Sequence, residues 1–477
     1  MGLVTPVEPV PVEDLGKVHF TAIGGAGMSG IARILLARGV RVSGSDSADS
    51  ALLGELAAAG AQVRVGHDAA NLGDADTLVV STAIRPDNPE LLEAQRRGIR
   101  ILHRAAALAS VMLGRQGIAV AGTHGKTTTT SMITTVLRHG GADPSYVIGG
   151  ILAETGLGAD EGSGRGFVVE ADESDGSFLM LSPATAVVTS VEADHLDNYA
   201  SLEQIEQAFA AFVGKVPAGG LLVGCADDAG ARALTGRVGP AVRALTYGTS
   251  PDADYRIIGI EPRGMRTGLA VVGSGRTALA SAGEVEAEIA VPGRHNALNA
   301  AAALAVAVEL GVPAARAVAG LAAYRGARRR MELKGEADAV QVVDSYAHHP
   351  TELAADLAAA RDLVAGRRLI AIFQPHLFSR TRIFASQFGA ALGHADEVLV
   401  MDVYAAREDP EPGVTGALVA DAVPGGRAMF VPDRASVPSL AIGLAKPGDI
   451  ILTMGAGDVT ELGPQLVAAL RDRAGEA

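Results

Sequence analysis

One stretch narrows the possible folds more than any other. The apolar run Ile118–Ala121 ends in Gly122-Thr123-His124-Gly125-Lys126-Thr127-Thr128-Thr129, and Thr127–His139 reads as a helix. A strand that turns through glycines straight into a helix is the unit of a parallel sheet covered by helices, because parallel neighbours need a crossover between them. The alternation recurs on both sides. Upstream, Lys17–Gly24 reads as a strand entering a glycine turn, Ser29–Arg38 as a helix, Val40–Ser43 as a strand, Leu52–Ala59 as a helix and Thr77–Val80 as a strand. Downstream, buried strands are expected at Phe167–Glu170, Ala186–Thr189 and Leu221–Val223. Tyr255–Ala290 alternates and is rich in glycine, which suits an antiparallel extension, and Asn296–Leu310 is an Ala-rich helix. After the basic break Arg325–Arg330 the pattern restarts, with strands at Val340–Asp344, Leu369–Phe373, Glu397–Met401 and Asp449–Thr453 and a helix at Glu352–Leu363. The expectation is an α/β chain of three units, residues 1–112, 113–325 and 326–477, and a length of 477 agrees with it.

Composition excludes several classes. Hydrophobic residues make up 48% and charged residues 20%, too apolar for a disordered chain. Lys and Arg number 40 against 54 Asp and Glu, a net charge of -14, which argues against nucleic acid or an anionic membrane as partner. A few local donors can still hold an anionic ligand. Cys225 stands alone, so neither an intrachain disulfide nor a Cys-rich zinc site is possible. Apolar runs such as Ala300–Val308 fall short of the ~18 residues a membrane span needs, so no membrane insertion is expected. Met1–Asp14 has prolines at 6, 9 and 11 and no Lys or Arg, unlike a secretory signal. The expected setting is soluble, reduced and cytoplasmic.

Two glycine loops carry chemistry. Gly25-Ala26-Gly27-Met28-Ser29-Gly30 has the spacing G-x-G-x-x-G, and Asp46 lies where a ribose-binding acid would fall. Small residues let the backbone approach a diphosphate, and the helix start supplies N–H donors. A dinucleotide, another nucleotide diphosphate and a ligand-free tight turn all fit this spacing. The second loop is more specific. The standard G-x-x-x-x-G-K-[ST] fails, because its first glycine would fall on Val120, but the shorter G-x-x-G-K-T keeps the working parts. Gly122 and Gly125 free backbone amides for phosphate, Lys126 can reach the β- and γ-phosphates, and the Thr127 hydroxyl can ligate Mg²⁺. Acidic stretches, Glu170-Ala-Asp-Glu-Ser-Asp175 and Glu192-Ala-Asp-His195-Leu-Asp197, each follow an apolar strand, where open α/β sheets place ligands. Seven acids lie from Glu170 to Asp197, more than Mg²⁺ can use, so most are expected to be solvated or to cap helices. His195 reads either as a metal contact or as a hydrogen-bonding residue behind the metal.

In order, Gly122–Thr128, Glu170–Asp175, Glu192–Asp197 and Gly293-Arg-His-Asn-Ala-Leu-Asn299 resemble the Mur ligase family, ATP-dependent amide ligases that build the peptide of peptidoglycan. Gly25–Gly30, Asp344-Ser-Tyr-Ala-His-His-Pro350 and Phe373-Gln-Pro-His-Leu-Phe-Ser-Arg-Thr381 narrow the resemblance to the member that joins L-alanine to the carboxylate of UDP-N-acetylmuramate. It runs from about Val18 to Val459. It implies an N-terminal Rossmann-like domain for the UDP-sugar, a central P-loop ATPase-like domain and a C-terminal Rossmann-like domain for the amino acid. The first glycine loop then takes the UDP diphosphate, with Gly25, Gly27, Met28, Ser29, Asp46 and Arg104 as UDP-sugar residues. Gly122, Thr123, His124, Gly125, Lys126, Thr127 and Thr128 would hold ATP, with His295 and Asn296 at the adenine. Thr127 and Glu170 would share one Mg²⁺, and His195 with Glu170 a second. The catalytic set is Lys126, Glu170, His195, Arg330 (or a neighbour in Arg328–Arg330) and Asp344, the last two reaching the nucleotide from the C-terminal side. Tyr346, His348, His376 and Arg380 would surround L-alanine.

The implied chemistry is self-consistent. A carboxylate is a poor acyl donor until ATP converts it to an acyl phosphate, which an amine can then attack. Phosphoryl transfer asks mainly for positioning and charge neutralisation. By pKa class, His348 and His376 are candidates to take the amine proton. Departures from the family pattern matter here. Asp344-Ser345 stands for the usual Asp-Asp, and Leu377 for a frequent Arg, which shifts the alanine carboxylate onto Arg380. No Lys lies between Gly166 and Gly214, so no carbamoylated lysine is expected near the metal. The implied role is in cell-wall biogenesis, and so in cell shape and division, as a monomer or homodimer. Rivals are a ligase for a preformed tripeptide, an NAD-dependent oxidoreductase built on Gly25–Gly30, and a nucleotide-binding regulator without turnover.

Overall fold

In the computed structural model, residues 3–195, 198–364, 366–406 and 408–476 are described, so Asp197 of the second acidic stretch lies outside the described residues. Among the described residues three sheets hold five, ten and six strands. The chain divides into two compact units. One comprises Met1–Gly259, Ala270–Ala287 and Leu298–Tyr324, the other Ile260–Leu269, Glu288–Ala297 and Arg325–Ala477.

The N-terminal sheet runs, in spatial order, Gln62–Val65, Val42–Asp46, Val18–Thr21, Thr77–Val80, Arg100–His103, all parallel. The chain starts in the middle, winds to one edge and then to the other. The topological switch therefore lies between Val18–Thr21 and Thr77–Val80, and the first glycine loop leaves the sheet beside it. Helix Ala26–Ala37 starts on Gly25 and presents Ile31, Ile34 and Leu35 to the core. Gly30 lies on this helix against the central domain, where an added Cβ would sit 3.0 Å from Val147 and 3.2 Å from Ala159. The junction is reinforced by Arg38, which pairs with Glu161 at 3.0 Å, while Arg115 holds the other oxygen of Glu161.

In the central sheet, strand Gln116–Ala121 lies between Thr185–Val188 and Gly166–Glu170, parallel to both. These strands are buried on both faces and read as continuous apolar runs. Their neighbouring C-terminal ends bring the glycine loop, Glu170 and the segment before Glu192 to one place. The sheet continues through Leu221–Cys225 and Arg243–Gly248 on one side and Ser145–Val147 on the other. Strands Tyr255–Arg263 and Arg266–Gly273, joined by a two-residue turn, form the expected antiparallel extension.

The third sheet runs Glu332–Ala337, Val340–Ser345, Ile450–Met454, Leu369–Phe373, Glu397–Met401, Ala428–Val431, with only the first pair antiparallel. Val343, Ala371, Phe373, Val400 and Leu452 pack into one layer and Val342, Ile370, Ile372, Leu399 and Ile451 into the other, the period-2 split of a sheet covered on both faces. Among the described residues no helix is long and apolar enough to cross a membrane.

One buried carboxylate breaks the apolar rule in the N-terminal domain. Helix Pro89–Arg97 is capped by the Asn88 side chain, and its first turn buries Glu90 completely. Glu90 accepts hydrogen bonds from Thr21 Oγ1 and Ser45 Oγ at 2.8 Å each and from Asn71 Nδ2 at 3.0 Å, with His19 Nε2 at 3.3 Å. Burial opposes its charge, but His19, Asn71, Ser45 and Thr21 outweigh burial and hold the carboxyl down at about 2. A depressed pKa contributes stability above the unfolded-state value that is lost as pH falls through the folded one. The melting-temperature gap between the protein and Glu90→Gln should therefore stay constant from pH 7 to about 5 and narrow towards pH 2, as read by circular dichroism.

Candidate active site

The second glycine loop owes its shape to two contacts that only glycine permits. Gly122 has φ +142°, and any Cβ there would collide with the Thr189 hydroxyl. Gly125 has φ +79°, and a Cβ would stand 2.9 Å from Asn299 Oδ1. The segment after strand Thr185–Val188 braces the loop: Thr123 N donates to Ser190 O at 3.0 Å, His124 N to Ser190 Oγ at 3.1 Å, and Glu192 N to Thr123 Oγ1 at 2.8 Å. Asn299 also accepts from Thr129 Oγ1 at 3.0 Å, fixing the start of helix Lys126–His139. That helix begins on the loop, so its N-terminal dipole and amides face the position an anion would take.

Lys126 and the acids form one network. Lys126 Nζ donates to Gly122 O at 2.6 Å, Thr123 O at 3.2 Å and Glu173 Oε1 at 2.8 Å. Burial works against its charge, but Glu173, Asp172 and Glu170 outweigh it and raise the lysine pKa, so the ammonium stays protonated. Thr127 Oγ1 lies 3.1 Å from Glu170 Oε1, and Gly149 N donates to Glu170 Oε2 at 2.9 Å. Thr127 and Glu170, named together as metal ligands, are thus neighbours. His195 adopts φ +53° and directs Nε2 to Glu173 Oε1 at 3.7 Å and Asp194 Oδ2 at 3.6 Å.

The expectation for most of this stretch is solvated or capping acids, and Glu173 is an exception. The residue is 2% exposed, and burial pushes its carboxyl pKa up even between Lys126 and His195. Asp175 is 5% exposed; it accepts from Ser177 N at 3.0 Å, as a cap does, but also from Thr82 Oγ1 of the N-terminal domain at 3.3 Å. Asp172 takes a short charged hydrogen bond from Arg104. Arg104 and Lys126 overcome burial and keep the Asp172 carboxyl well below the usual range.

Around the first glycine loop, Arg104 lies 3.4 Å from where a Cβ of Gly27 would be. The same side chain therefore touches the loop and, through Asp172, the acids beside Lys126. Asp46 ends strand Val42–Asp46 and accepts from Gly24 N at 2.9 Å, steadying the loop as well as flanking it. Met28 is buried, and the Ser29 hydroxyl turns back on Ala26 O at 3.1 Å, so a ligand meets these two chiefly through backbone.

Within the second unit, His295 Nε2 lies 3.5 Å from Asp356 Oδ1, and burial lowers its pKa. Asn296 donates to Pro292 O at 2.6 Å. Asp344 is fully buried; Thr453 Oγ1 and Thr460 Oγ1 donate to it at 2.7 Å, with Arg329 Nε at 3.5 Å and Lys334 Nζ at 3.7 Å. Among the three neighbouring arginines, Arg329 and Arg330 both lie over the Tyr346 ring, at 4.7 and 5.2 Å, and Arg329 also faces Asp344. Rings form a series: Tyr346 to His348 at 5.3 Å, His348 to His376 at 6.1 Å, His376 to Tyr404 at 5.9 Å. His348 Nδ1 lies 3.0 Å from Tyr346 O; a carbonyl only accepts, so Nδ1 carries the proton and a neutral ring leaves Nε2 as the acceptor. Arg380 is buried in the first turn of helix Phe378–Leu392, which starts on Leu377 at φ +70°.

Glu173, Asn299 and Tyr404 are not among the sequence candidates, and Arg329 enters them only as a neighbour of Arg330. Asn299 had a usable signal, since it follows Asn296 by three residues and shares its helix face. Tyr404 reaches His376 across two strand ends, which no local pattern announces.

A lysine kept charged at a helix start, beside a hydroxyl and carboxylates, is equipment for a nucleoside polyphosphate. Comparison with known proteins agrees. The chain matches the Mur ligase family catalytic domain over residues 17–116, the Mur ligase middle domain over 120–307 and the Mur ligase glutamate ligase domain over 329–457. A UDP-N-acetylmuramate–L-alanine ligase of Thermobifida fusca is 58% identical, covering 98% of this chain and 100% of that one. The same-named protein of Kineococcus radiotolerans is 55% identical over 97% of this chain and 98% of its own. Among solved structures, the UDP-N-acetylmuramate–alanine ligase of Thermotoga maritima superposes with a TM-score of 0.80 at 30% identity, covering 96% of this chain and 99% of that one. A murein peptide ligase of Psychrobacter arcticus does so with a TM-score of 0.71 at 26% identity, covering 96% and 99%. The chain belongs to the Mur ligase family.

Two substitutions probe the loop. Lys126→Ala should cost turnover by several kcal/mol, on the order of 10³-fold or more, with circular dichroism unchanged; near-normal activity would remove the lysine from the site. Asn299→Ala should weaken binding of a non-hydrolysable ATP analogue about tenfold by calorimetry, because it frees both Gly125 and Thr129.

Proposed function

We propose that this protein joins L-alanine to the carboxylate of UDP-N-acetylmuramate with conversion of ATP to ADP and phosphate, a step of peptidoglycan precursor synthesis. The observation that carries the reading is the 58% identity, end to end, with an L-alanine ligase. The 26% identity with a murein peptide ligase leaves the tripeptide-joining reaction as the weaker alternative. The oxidoreductase reading leaves Gly122–Thr128 and the acids around Lys126 unexplained.

In this reading the first glycine loop, Asp46 and Arg104 receive the UDP-sugar, and Gly122–Thr128 receives the triphosphate. Thr127 and Glu170 suit Mg²⁺, being oxygen donors 3.1 Å apart with the second Glu170 oxygen steadied by Gly149. A second Mg²⁺ is assigned to His195 with Glu170, and Glu173 stands at His195 as a further carboxylate. Bound there, Mg²⁺ would neutralise charge on the transferring phosphate. Lys126 adds a fixed positive charge, held towards the loop by two carbonyls and Glu173. The sugar carboxylate attacks the γ-phosphorus, giving an acyl phosphate and ADP. The alanine amine, after losing its proton, attacks the acyl carbon, and phosphate leaves. His348 is oriented to accept that proton at Nε2. Tyr346, His376 and Arg380 complete the amino-acid subsite, with Arg380 for the carboxylate. Arg330 and Asp344 keep the nucleotide-side roles of the family resemblance, with Asp344 acting through the groups it anchors. The enzyme works in the cytoplasm, as a monomer or homodimer.

Phosphate release with UDP-N-acetylmuramate, ATP and a panel of amino acids and the tripeptide tests this directly. L-alanine should give the highest kcat/KM; release that needs the tripeptide, or no amine at all, sinks the proposal. Glu170→Ala should raise the half-saturating Mg²⁺ concentration at least about tenfold; an unmoved Mg²⁺ curve removes Glu170 from the ligands.

A further inference from the structure

The buried carboxylate of Glu90 sits where the folding of the N-terminal domain alone would favour an apolar side chain. Its partners are ordered by the sheet. His19 pairs with Ser43 and Thr21 with Ser45 in the register of two neighbouring parallel strands, so four polar side chains line one face. His19 Nδ1 lies 2.8 Å from Ser43 Oγ, and its Nε2 faces Glu90. Burying a charge among such groups is costly unless every lone pair is engaged, and a matched apolar cluster is often at least as stable. Stability is therefore a weak reason for this arrangement.

Position offers a better one. Thr21 is the last residue of its strand and directly precedes the turn into Gly25–Gly30. Ser45 directly precedes Asp46. Asn71 donates one hydrogen to Glu90 Oε1 and the other, at 3.0 Å, to Gly66 O, just past the end of strand Gln62–Val65. His67 Nδ1 lies 2.8 Å from Ser45 Oγ and 3.8 Å from Glu90 Oε1. One carboxylate thus ties together the exits of three adjacent strands, at the sheet edge where ligands of this fold class bind.

We propose that Glu90 is a positioning residue for the UDP-sugar, setting the spacing between the first glycine loop, Asp46 and the Gly66–His67 turn. It touches no ligand; it acts through Thr21, Ser45 and Asn71. The inference rests on the reading of the first loop as the UDP-sugar subsite. Glu90→Gln keeps the shape but replaces one acceptor by a donor facing existing donors.

The test uses the full-length protein, with steady-state kinetics and calorimetric titration of UDP-N-acetylmuramate. In Glu90→Gln the KM and Kd for UDP-N-acetylmuramate should rise about tenfold or more, while kcat and the KM for ATP and L-alanine stay within about twofold. A merely structural role would lower the melting temperature and leave all three KM values of the folded fraction unchanged, and that result overturns the proposal. If Glu90→Gln does not fold, Ser45→Ala and Thr21→Val, each removing one donor, carry the same comparison with the same two outcomes. Should the unsubstituted protein not bind UDP-N-acetylmuramate at all, the functional reading itself falls; if it binds and the variants bind equally well, only the role of Glu90 falls.

Discussion

A positive charge in a nearly dry site needs a partner that does not consume it. Lys126 has this in Glu173, with two loop carbonyls alongside. The pair stabilises the ammonium against its burial. That balance depends on the strand order: because Gln116–Ala121 lies between Thr185–Val188 and Gly166–Glu170, lysine, hydroxyl and carboxylates meet without a long loop. Gly122, Gly125 and Gly149 then supply close approaches that a Cβ would prevent.

Charge is also what joins the surroundings of the two glycine loops. Arg104 contacts the first loop near Gly27 and Asp172 beside Lys126. An acidic protein can present anion sites in this way, since each local cation is set against a matched acid instead of a basic surface. Part of the net charge of -14 is accounted for by carboxylates that hold Lys126 and Arg104 in place.

Much of the fold was legible because parallel strands buried on both faces leave uninterrupted apolar runs. Thr77–Val80, Leu369–Phe373 and Glu397–Met401 appear at the expected residues. Gln62–Val65 escaped notice because it is an edge strand with little burial, and its alternation, QVRV, is only four residues long. Ala428–Val431 is likewise a partly exposed edge. At the site, residues within one glycine loop or one acidic stretch could be found from spacing. The choice among them could not: that Glu173 faces Lys126 while Glu170 faces Thr127 follows from which way the chain turns after the strand. Arg329 and Arg330 are adjacent and chemically identical, both lie over the Tyr346 ring, and that Arg329 also faces Asp344 is something no spacing announces.

The third glycine of G-x-G-x-x-G is a packing position. In Gly30 the missing side chain admits Val147 and Ala159 of the next domain, with Arg38 and Glu161 locking the seam nearby. The N-terminal domain is consequently not an interchangeable module. A chimera that takes this domain from a distant relative would bring a helix surface cut for other neighbours, unless the segment from Ser145 to Glu161 were transplanted with it.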